Sequence, residues 1–265
     1  MHCVVDSTRI AELLHPFLSS PLTSLQLDQI STYIDLLLRW NARVNLTAVR
    51  APRDIVTRHF GESLFAARHL LPSRADAPIR DTPQPTTEPS VPRVRVGSLD
   101  ANLGSSTTEP TEETDPGAIG PAHGAHTSSV PNHLVDIGSG PGFPGLPMKL
   151  WSPQTRVTLI ESNHKKVAFL REVIRALTLT GIDVFAARAE TFPPATARVV
   201  TLRAVERFPE TLPTALTLLA PTARLALLIS RPQFPLAQNL TPALHWLSPL
   251  PIPLSESRLL AIGVR

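Results

Sequence analysis

Apolar positions recur along this chain with two different periods. From Leu25 to Asn41 they fall at helical spacing, with Ile30, Ile34, Leu37 and Leu38 on one face and Leu27 and Tyr33 beside them. A second helix is expected after Pro52, a residue suited to a first helical turn. It would carry Ile55, Val56, Phe60, Leu64 and Phe65 toward a core. Beyond residue 131, short apolar runs alternate with helical patterns. Strands are expected at 133–137, 156–160, 182–186, 198–202, 224–229 and 258–264. Between them, His164 to Leu177 repeats Val167, Leu170, Ile174 and Leu177, with Gly181 as the expected C-cap, and Glu210 to Leu219 reads as another helix. Such alternation implies βαβ units and a parallel sheet. The proline-rich stretch 249–253 is expected to turn into a final antiparallel hairpin.

Residues 72–131 interrupt this pattern. They hold 10 of the chain's 28 prolines and no aromatic residue, and Ser, Thr, Gly and acidic residues fill much of the rest. A segment of this kind cannot bury enough apolar surface to offset its ordering entropy. It reads as a disordered insertion, with one short alternation from Val91 to Val96 as a strand candidate. The expected organisation is a helical cap over 1–71, the insertion over 72–131, and an α/β domain over 132–265 that forms one globular unit with the cap.

The chemistry concentrates where the first strand ends. Val135-Asp136-Ile137-Gly138-Ser139-Gly140-Pro141-Gly142-Phe143-Pro144-Gly145 reads as a buried strand, a glycine-rich turn and a helix start. At the carboxyl end of the first strand of an open α/β sheet, such a turn is a nucleotide-type cofactor site. Glu161 follows the next apolar run, where a carboxylate can accept hydrogen bonds from both hydroxyls of a ribose. The glycines at 138, 140, 142 and 145 depart from the G-x-G-x-x-G dinucleotide fingerprint. Pro144 and Pro147 have no N–H to offer a pyrophosphate. A cofactor without phosphates, such as S-adenosylmethionine, fits this turn better than NAD does.

Composition adds limits. Hydrophobic residues make up 42% of the 265, enough for a core. No run of 18 uncharged apolar residues indicates a membrane span, and Met1 to Asp6 lack the features of a signal peptide. The one cysteine, Cys3, offers neither an intramolecular disulfide nor a metal cluster, so a cytoplasmic protein without a metal is expected. Residues 132–265 carry 14 Lys+Arg against 8 Asp+Glu, which suits a polyanionic substrate or an ordinary solvated basic surface.

Trp40-Asn41-Ala42-Arg43-Val44-Asn45-Leu46-Thr47-Ala48 resembles the W-N-x-x-x-N-L-T-A signature of the RsmG family, also called GidB. The resemblance continues in His59, Ser63 and Leu64, in Asp136 to Pro147, in Lys165 to Leu170, in Arg188-Ala189-Glu190 and in Arg203-Ala204. It spans both sides of the insertion, in the family's order. The resemblance implies a class I, Rossmann-like methyltransferase fold with a seven-stranded, mostly parallel sheet and an N-terminal helical cap. It also implies methylation of N7 of one guanine in 16S ribosomal RNA, with S-adenosylmethionine as cofactor and the RNA or the small ribosomal subunit as partner. A monomer is expected. Carried over by motif position, Gly138 and Phe143 line the cofactor, Ala189 and Glu190 flank its adenine end, and Arg203 is a further cofactor-site position; Gly140, Gly142 and Asp136, of the same strand and loop, are also expected to bind it. Asn45, His59 and Arg231 are substrate candidates. Two departures stand out: Glu62 replaces the aspartate of an H-x-x-D-S element, and Ser230-Arg231 replaces a Lys-Gly pair after strand five.

Several of these residues also have a plainer reading. Glu161 could cap the following helix, Asp136 could brace the glycine loop, and Arg203 could pair with Glu206 at the surface. Asn45 could bond backbone within the cap. His59 could be a packed core histidine. Guanine N7 already carries a free lone pair, so its methylation requires no general base, and no catalytic residue is assigned. A methyltransferase for another substrate, or a non-catalytic RNA-binding member of the fold, remains the alternative function.

Overall fold

The computed structural model describes residues 5–71, 132–205 and 207–265. The expected insertion, its Val91–Val96 strand, Cys3 and Glu206 lie outside them. Helix α1 (Ser7–Leu14) opens the described chain, capped by Asp6, whose carboxylate accepts from the Arg9 N–H. Helix α2 (Ser24–Asn41) begins with a capping box in which Thr23 and Gln26 each satisfy the other's backbone N–H. Helix α3 (Pro52–Asp54) starts at a proline and runs through a π-helical segment, Ile55–Gly61, into α4 (Glu62–Leu70).

The sheet follows. Strands β1 (His133–Ile137), β2 (Arg156–Ile160), β3 (Ile182–Phe185), β4 (Ala197–Arg203) and β5 (Leu219–Ser230) are parallel, and β8 (Arg258–Val264) is antiparallel to β5. The short strands β6 (His245–Trp246) and β7 (Leu250–Pro251) both pair with β8. The order is β3-β2-β1-β4-β5-β8-β6, with β7 also on β8. The sheet thus has eight assigned strands where seven were expected. The final strand is split around Pro249, and a proline cannot donate to the ladder. Helices α5 (Gly145–Trp151), α6 (His164–Ala176), α7 (Phe208–Leu218) and α8 (Gln233–Leu240) cover the faces.

Residue alternation along the strands sorts the interior into two layers. Leu134, Val157, Leu159, Val199, Ala226 and Leu228 pack with α1, α2, the π segment and α4 to α6. Val135, Ile137, Ile160, Val200, Leu202 and Leu227 pack with α7 and α8. Burial on both faces explains why β1 is buried at all five positions and reads as a continuous apolar run around one aspartate. The N-terminal helices therefore share a core with the sheet. Gln26 of α2 donates to the Leu150 carbonyl at 2.8 Å, and Trp40 Nε1 donates to Glu172 of α6 at 3.1 Å.

One local expectation needs correction, and three short elements had none. Helix α6 stops at Ala176 and Thr178 takes the left-handed conformation there (φ 52°), while Gly181 (φ 63°) instead leads into β3. Helices α1 and α8 and strand β6 were not anticipated. They are short, and α8 contains a proline. No helix among the described residues is long and apolar enough to cross a membrane, and none of their His, Cys, Asp and Glu side chains group as a metal site.

Candidate functional site

The carboxyl ends of β1, β2 and β3 stand side by side and carry the glycine loop, Glu161 and the Phe185–Glu190 turn. The loop holds itself through its backbone: Gly142 and Phe143 N–H donate to the Ser139 carbonyl, and Ser139 N–H donates to Ile160. Gly138, Gly140 and Gly142 all have positive φ. Their surroundings separate their roles. A methyl group on Gly138 or Gly140 would meet nothing closer than 3.7 Å, so the loop is open there to a ligand. A methyl on Gly142 would run into the Tyr33 hydroxyl and Leu146, and one on Gly145 into Leu159 and the Asp136 carboxylate. Gly142 and Gly145 are thus glycines of packing.

Asp136 is a brace. It is fully buried, and it accepts from Thr201 Oγ1 at 2.7 Å and from the Gly145 N–H at 3.1 Å. Burial pushes its pKa up to about 6, opposed by the hydrogen bonds from Thr201, Ser139 and Gly145. Glu161 is also nearly buried. Oε2 accepts from the Gly140 N–H at 2.9 Å and Oε1 from the Asn163 N–H at 2.8 Å. Each oxygen retains acceptor capacity for a ligand hydroxyl. The cap of α6 is Asn163, whose side chain accepts from Lys165 and Lys166.

The N-terminus of α5 offers nothing to a phosphate. Gly145 N–H is engaged by Asp136, Leu146 N–H by the Gly142 carbonyl, and Met148 N–H by Pro144, while Pro147 has no donor. A buried carboxylate stands where a phosphate would come. Ala189 and Glu190 open a single 3₁₀ turn after β3, Ala189 buried and Glu190 exposed.

Phe143 does not present its ring to the open side of the loop. The ring stacks against Tyr33 (5.3 Å between centroids, 1° between planes) and His59 (4.6 Å, 20°), with Phe60 edge-on. Tyr33 in turn donates its hydroxyl to the Pro141 carbonyl. The cap therefore grips the glycine loop through aromatic rings.

His59, from the π segment, lies between cap and sheet. Arg203 Nη1 donates to its Nδ1 at 3.2 Å, since a guanidinium can only donate, so the proton sits on Nε2 and faces Thr47 Oγ1 at 2.9 Å. Burial, with Arg203, Arg58 and Arg258 nearby, lowers the His59 pKa to about 3. It is a neutral imidazole with both nitrogens engaged.

Arg203 ends β4 and pairs with Glu62, 141 residues away, through Nε (3.3 Å) and Nη2 (3.1 Å), and it also donates to the Arg58 carbonyl at 2.9 Å. Arg258 of β8 reaches the same Glu62 oxygen at 2.9 Å. The pairing with Glu206 considered from sequence falls outside the described residues; Arg203 stands in a buried network in which one carboxylate serves two guanidiniums. Burial lowers the Arg203 pKa, and Glu62 is the first of the groups that hold it up.

The other candidates are peripheral. Asn45 is exposed, and the turn that follows α2 is held by Asn41, which accepts from the Leu46 and Thr47 N–H groups and donates to the Thr47 carbonyl. Arg231 is exposed at the end of β5, with Nε on the Glu256 carbonyl at 3.1 Å. Sequence reasoning missed Tyr33, Asn41, Glu62 and Arg258 as members of the site. Glu62 had been noted only as a departure, and Arg258 is the single charged residue of β8.

A family model described as rRNA small subunit methyltransferase G matches residues 26–81 and 122–233. Among curated proteins, the chain is 32% identical over 175 residues to a ribosomal RNA small subunit methyltransferase G of Xylella fastidiosa (strain 9a5c), covering 66% of this chain and 55% of that one. It is 35% identical over 166 residues to the protein of that name from Roseiflexus sp. (strain RS-1), covering 63% and 47%. The match thus spans about half the length of these relatives. Among solved structures, P. horikoshii TYW2 in complex with MeSAdo aligns with TM-score 0.42 and 19% identity, over 51% of this chain and 56% of that one.

Proposed function

We propose that this chain, which belongs to the rRNA small subunit methyltransferase G family, transfers a methyl group from S-adenosylmethionine to N7 of a single guanine in 16S ribosomal RNA. The observation that carries the cofactor reading is the α5 N-terminus, whose donors are engaged by Asp136, Gly142 and Pro144. It excludes a pyrophosphate while Gly138 and Gly140 stay open. S-adenosylmethionine supplies a methyl group on a positively charged sulfur and carries no phosphate. Glu161 would accept its ribose hydroxyls, Ala189 and Glu190 would flank its adenine end, and Gly138 and Gly140 would let the backbone approach it. Asp136, Gly142 and Phe143 act through the loop, by holding its shape.

The base-free chemistry of N7 agrees with the residues at the β4 end. His59 has both nitrogens engaged and a pKa near 3, so it takes no proton near neutrality. What remains for the chain is to hold two reactants in line, which can lower a barrier by about 7–11 kcal/mol. The excess of Lys and Arg in residues 132–265 fits a ribosomal RNA or small-subunit partner, and the reading extends to a cytoplasmic monomer in which the cap and residues 132–265 act as one unit. Incubating the protein with labelled cofactor and hypomethylated 16S RNA or small subunits tests this. The label is expected on N7 of one guanine. Transfer to another guanine atom or to a small molecule, or tight NAD binding without S-adenosylhomocysteine binding, would reject it.

A further inference from the structure

A cavity of about 150 Å³ lies between the ends of β4 and β5. Arg203, Ser230, Gln233 and Arg258 line it beside Phe208 and Ile229. A space of about this volume accepts a group the size of benzene. Its polar side chains present donors. Gln233 Oε1 already accepts from the Ser230 N–H at 3.0 Å and the Ser230 hydroxyl at 2.9 Å, which leaves its amide N–H groups for a ligand. Arg203 and Arg258 can only donate. Arg258 Nε is buried and has no hydrogen-bond partner, an arrangement that costs free energy until an acceptor arrives. Glu62 fixes the two guanidiniums through a single oxygen, so one carboxylate faces two positive charges. The His59 pKa is lowered first by burial, and Arg203, Arg58 and Arg258 lower it further, in keeping with positive charge beside the pocket.

We propose that this pocket is an anion site, that Arg258 and Gln233 touch the anion, that Glu62 positions Arg258, and that the occupant is a phosphodiester of the RNA next to the methylated nucleotide. Acceptor-only phosphate oxygens match a wall rich in donors, and an arginine fork suits them in geometry as well as charge. The identity of the occupant rests on the RNA-methylation reading. The chemistry of the pocket does not. The cofactor's carboxylate is the other possible source of such an anion, and the experiment separates the two.

Thermal unfolding is measured in inorganic phosphate and in chloride at equal ionic strength, for the wild type, Arg258→Gln and Gln233→Leu. The variants calibrate the general salt effect of phosphate. Phosphate should stabilise the wild type more than either variant. Gln233→Leu leaves both Glu62 ion pairs intact, so the test survives if Arg258→Gln folds poorly. Binding of a single-stranded 16S fragment is then followed against salt. Arg258→Gln should bind about tenfold more weakly, with a log-log salt slope reduced by about 0.7, the value for one phosphate contact on a single strand. S-adenosylhomocysteine affinity should stay within about twofold. Equal phosphate stabilisation of all three proteins would overturn the anion site whether or not the protein methylates RNA. A tenfold loss of S-adenosylhomocysteine affinity with an unchanged salt slope would overturn the RNA occupant in favour of the cofactor. If the wild type binds S-adenosylhomocysteine and responds to phosphate yet does not methylate RNA, the anion site stands, and the functional reading fails together with the RNA occupant.

Discussion

Replacing Glu62 by glutamine keeps its shape and removes its charge, and so isolates what the carboxylate does. Glu62 is 2% exposed, and its Oε2 receives Arg203 Nη2 at 3.1 Å and Arg258 Nη2 at 2.9 Å. An exposed pair of this kind would be worth at most about 1 kcal/mol. Here the side chains of Arg203 and Glu62 are 8% and 3% exposed, so the variant would leave a guanidinium charge buried without its anion. Breaking a buried pair from one side costs about 3–5 kcal/mol. Arg203 keeps its bonds to the Arg58 carbonyl and His59, and Arg258 is 22% exposed, so the lower end, about 3 kcal/mol, is expected. For a chain of this size that corresponds to a fall of about 6–12 °C in Tm. Calorimetry or urea unfolding at neutral pH reads it. The double variant Glu62→Gln/Arg258→Met should recover part of the loss, because one of the unpaired charges is gone, and the coupling energy of the cycle should exceed about 1 kcal/mol. A single variant within about 1 kcal/mol of the wild type would show that solvent, and not Glu62, compensates the arginines.

Further outcomes follow from the same geometry. Neutral His59, with a pKa near 3 against 6.5 unfolded, makes the unfolded chain bind the extra proton, so its contribution to stability is complete above pH 6.5 and is lost as pH falls toward 3. Asp136 has the opposite sign: its folded pKa near 6 against 3.8 lets the folded chain hold a proton that the unfolded chain releases, so stability falls as pH rises from 3.8 to 6. The two trends oppose each other in that window. Stability of the wild type relative to His59→Gln should therefore drop by roughly 2–3 kcal/mol between pH 6 and 4, and parallel stability curves for the two proteins would refute this. Gly140→Ala, in open space at φ 58°, should cost about 1–2 kcal/mol, whereas Gly142→Ala, which meets Tyr33 and Leu146, should cost clearly more. Equal losses in urea unfolding would contradict the division of the loop into open and packed glycines. Glu161→Ala should weaken S-adenosylhomocysteine binding by about 1.5–3 kcal/mol in calorimetry, and an unchanged affinity would remove Glu161 from the cofactor site.

The parts legible in the sequence are those whose cause is local. β1 and β2 show as apolar runs because both faces of the sheet are covered, and the glycine loop shows because positive φ at Gly138, Gly140 and Gly142 favours glycine. What was not legible depends on partners far along the chain. Arg203 takes Glu62 as a partner, 141 residues earlier, which no proximity along the chain suggests. Position inside the glycine loop suggested that Phe143 faces a ligand, yet Tyr33, 110 residues earlier, and His59 enclose its ring. Asn45 and Asn41 are alike in the signature. Only the course of the chain leaving α2 decides that Asn41 reaches Leu46 and Thr47.

That last detail explains why a signature near residue 45 and a loop near residue 140 occur together. Asn41 fixes the turn that places Thr47, and Thr47 Oγ1 takes the Nε2 proton of His59. With that proton placed, Nδ1 is free to accept from Arg203, and the same imidazole stacks on Phe143 of the glycine loop. The cap thus acts at two places through one ring: on the glycine loop by packing, and on the β4–β5 end by a hydrogen bond to an arginine that lines the cavity. The π-helical geometry of Ile55–Gly61 fits this role, since local departures from α-helical winding re-aim a side chain at such positions. Gly61 then allows the Phe17 ring to close against the segment, because a methyl group there would lie 2.7 Å from it. The N-terminal helices are accordingly part of the site and more than a cover for the sheet, and a perturbation of Thr47 should be felt at Arg203 before it is felt in the core.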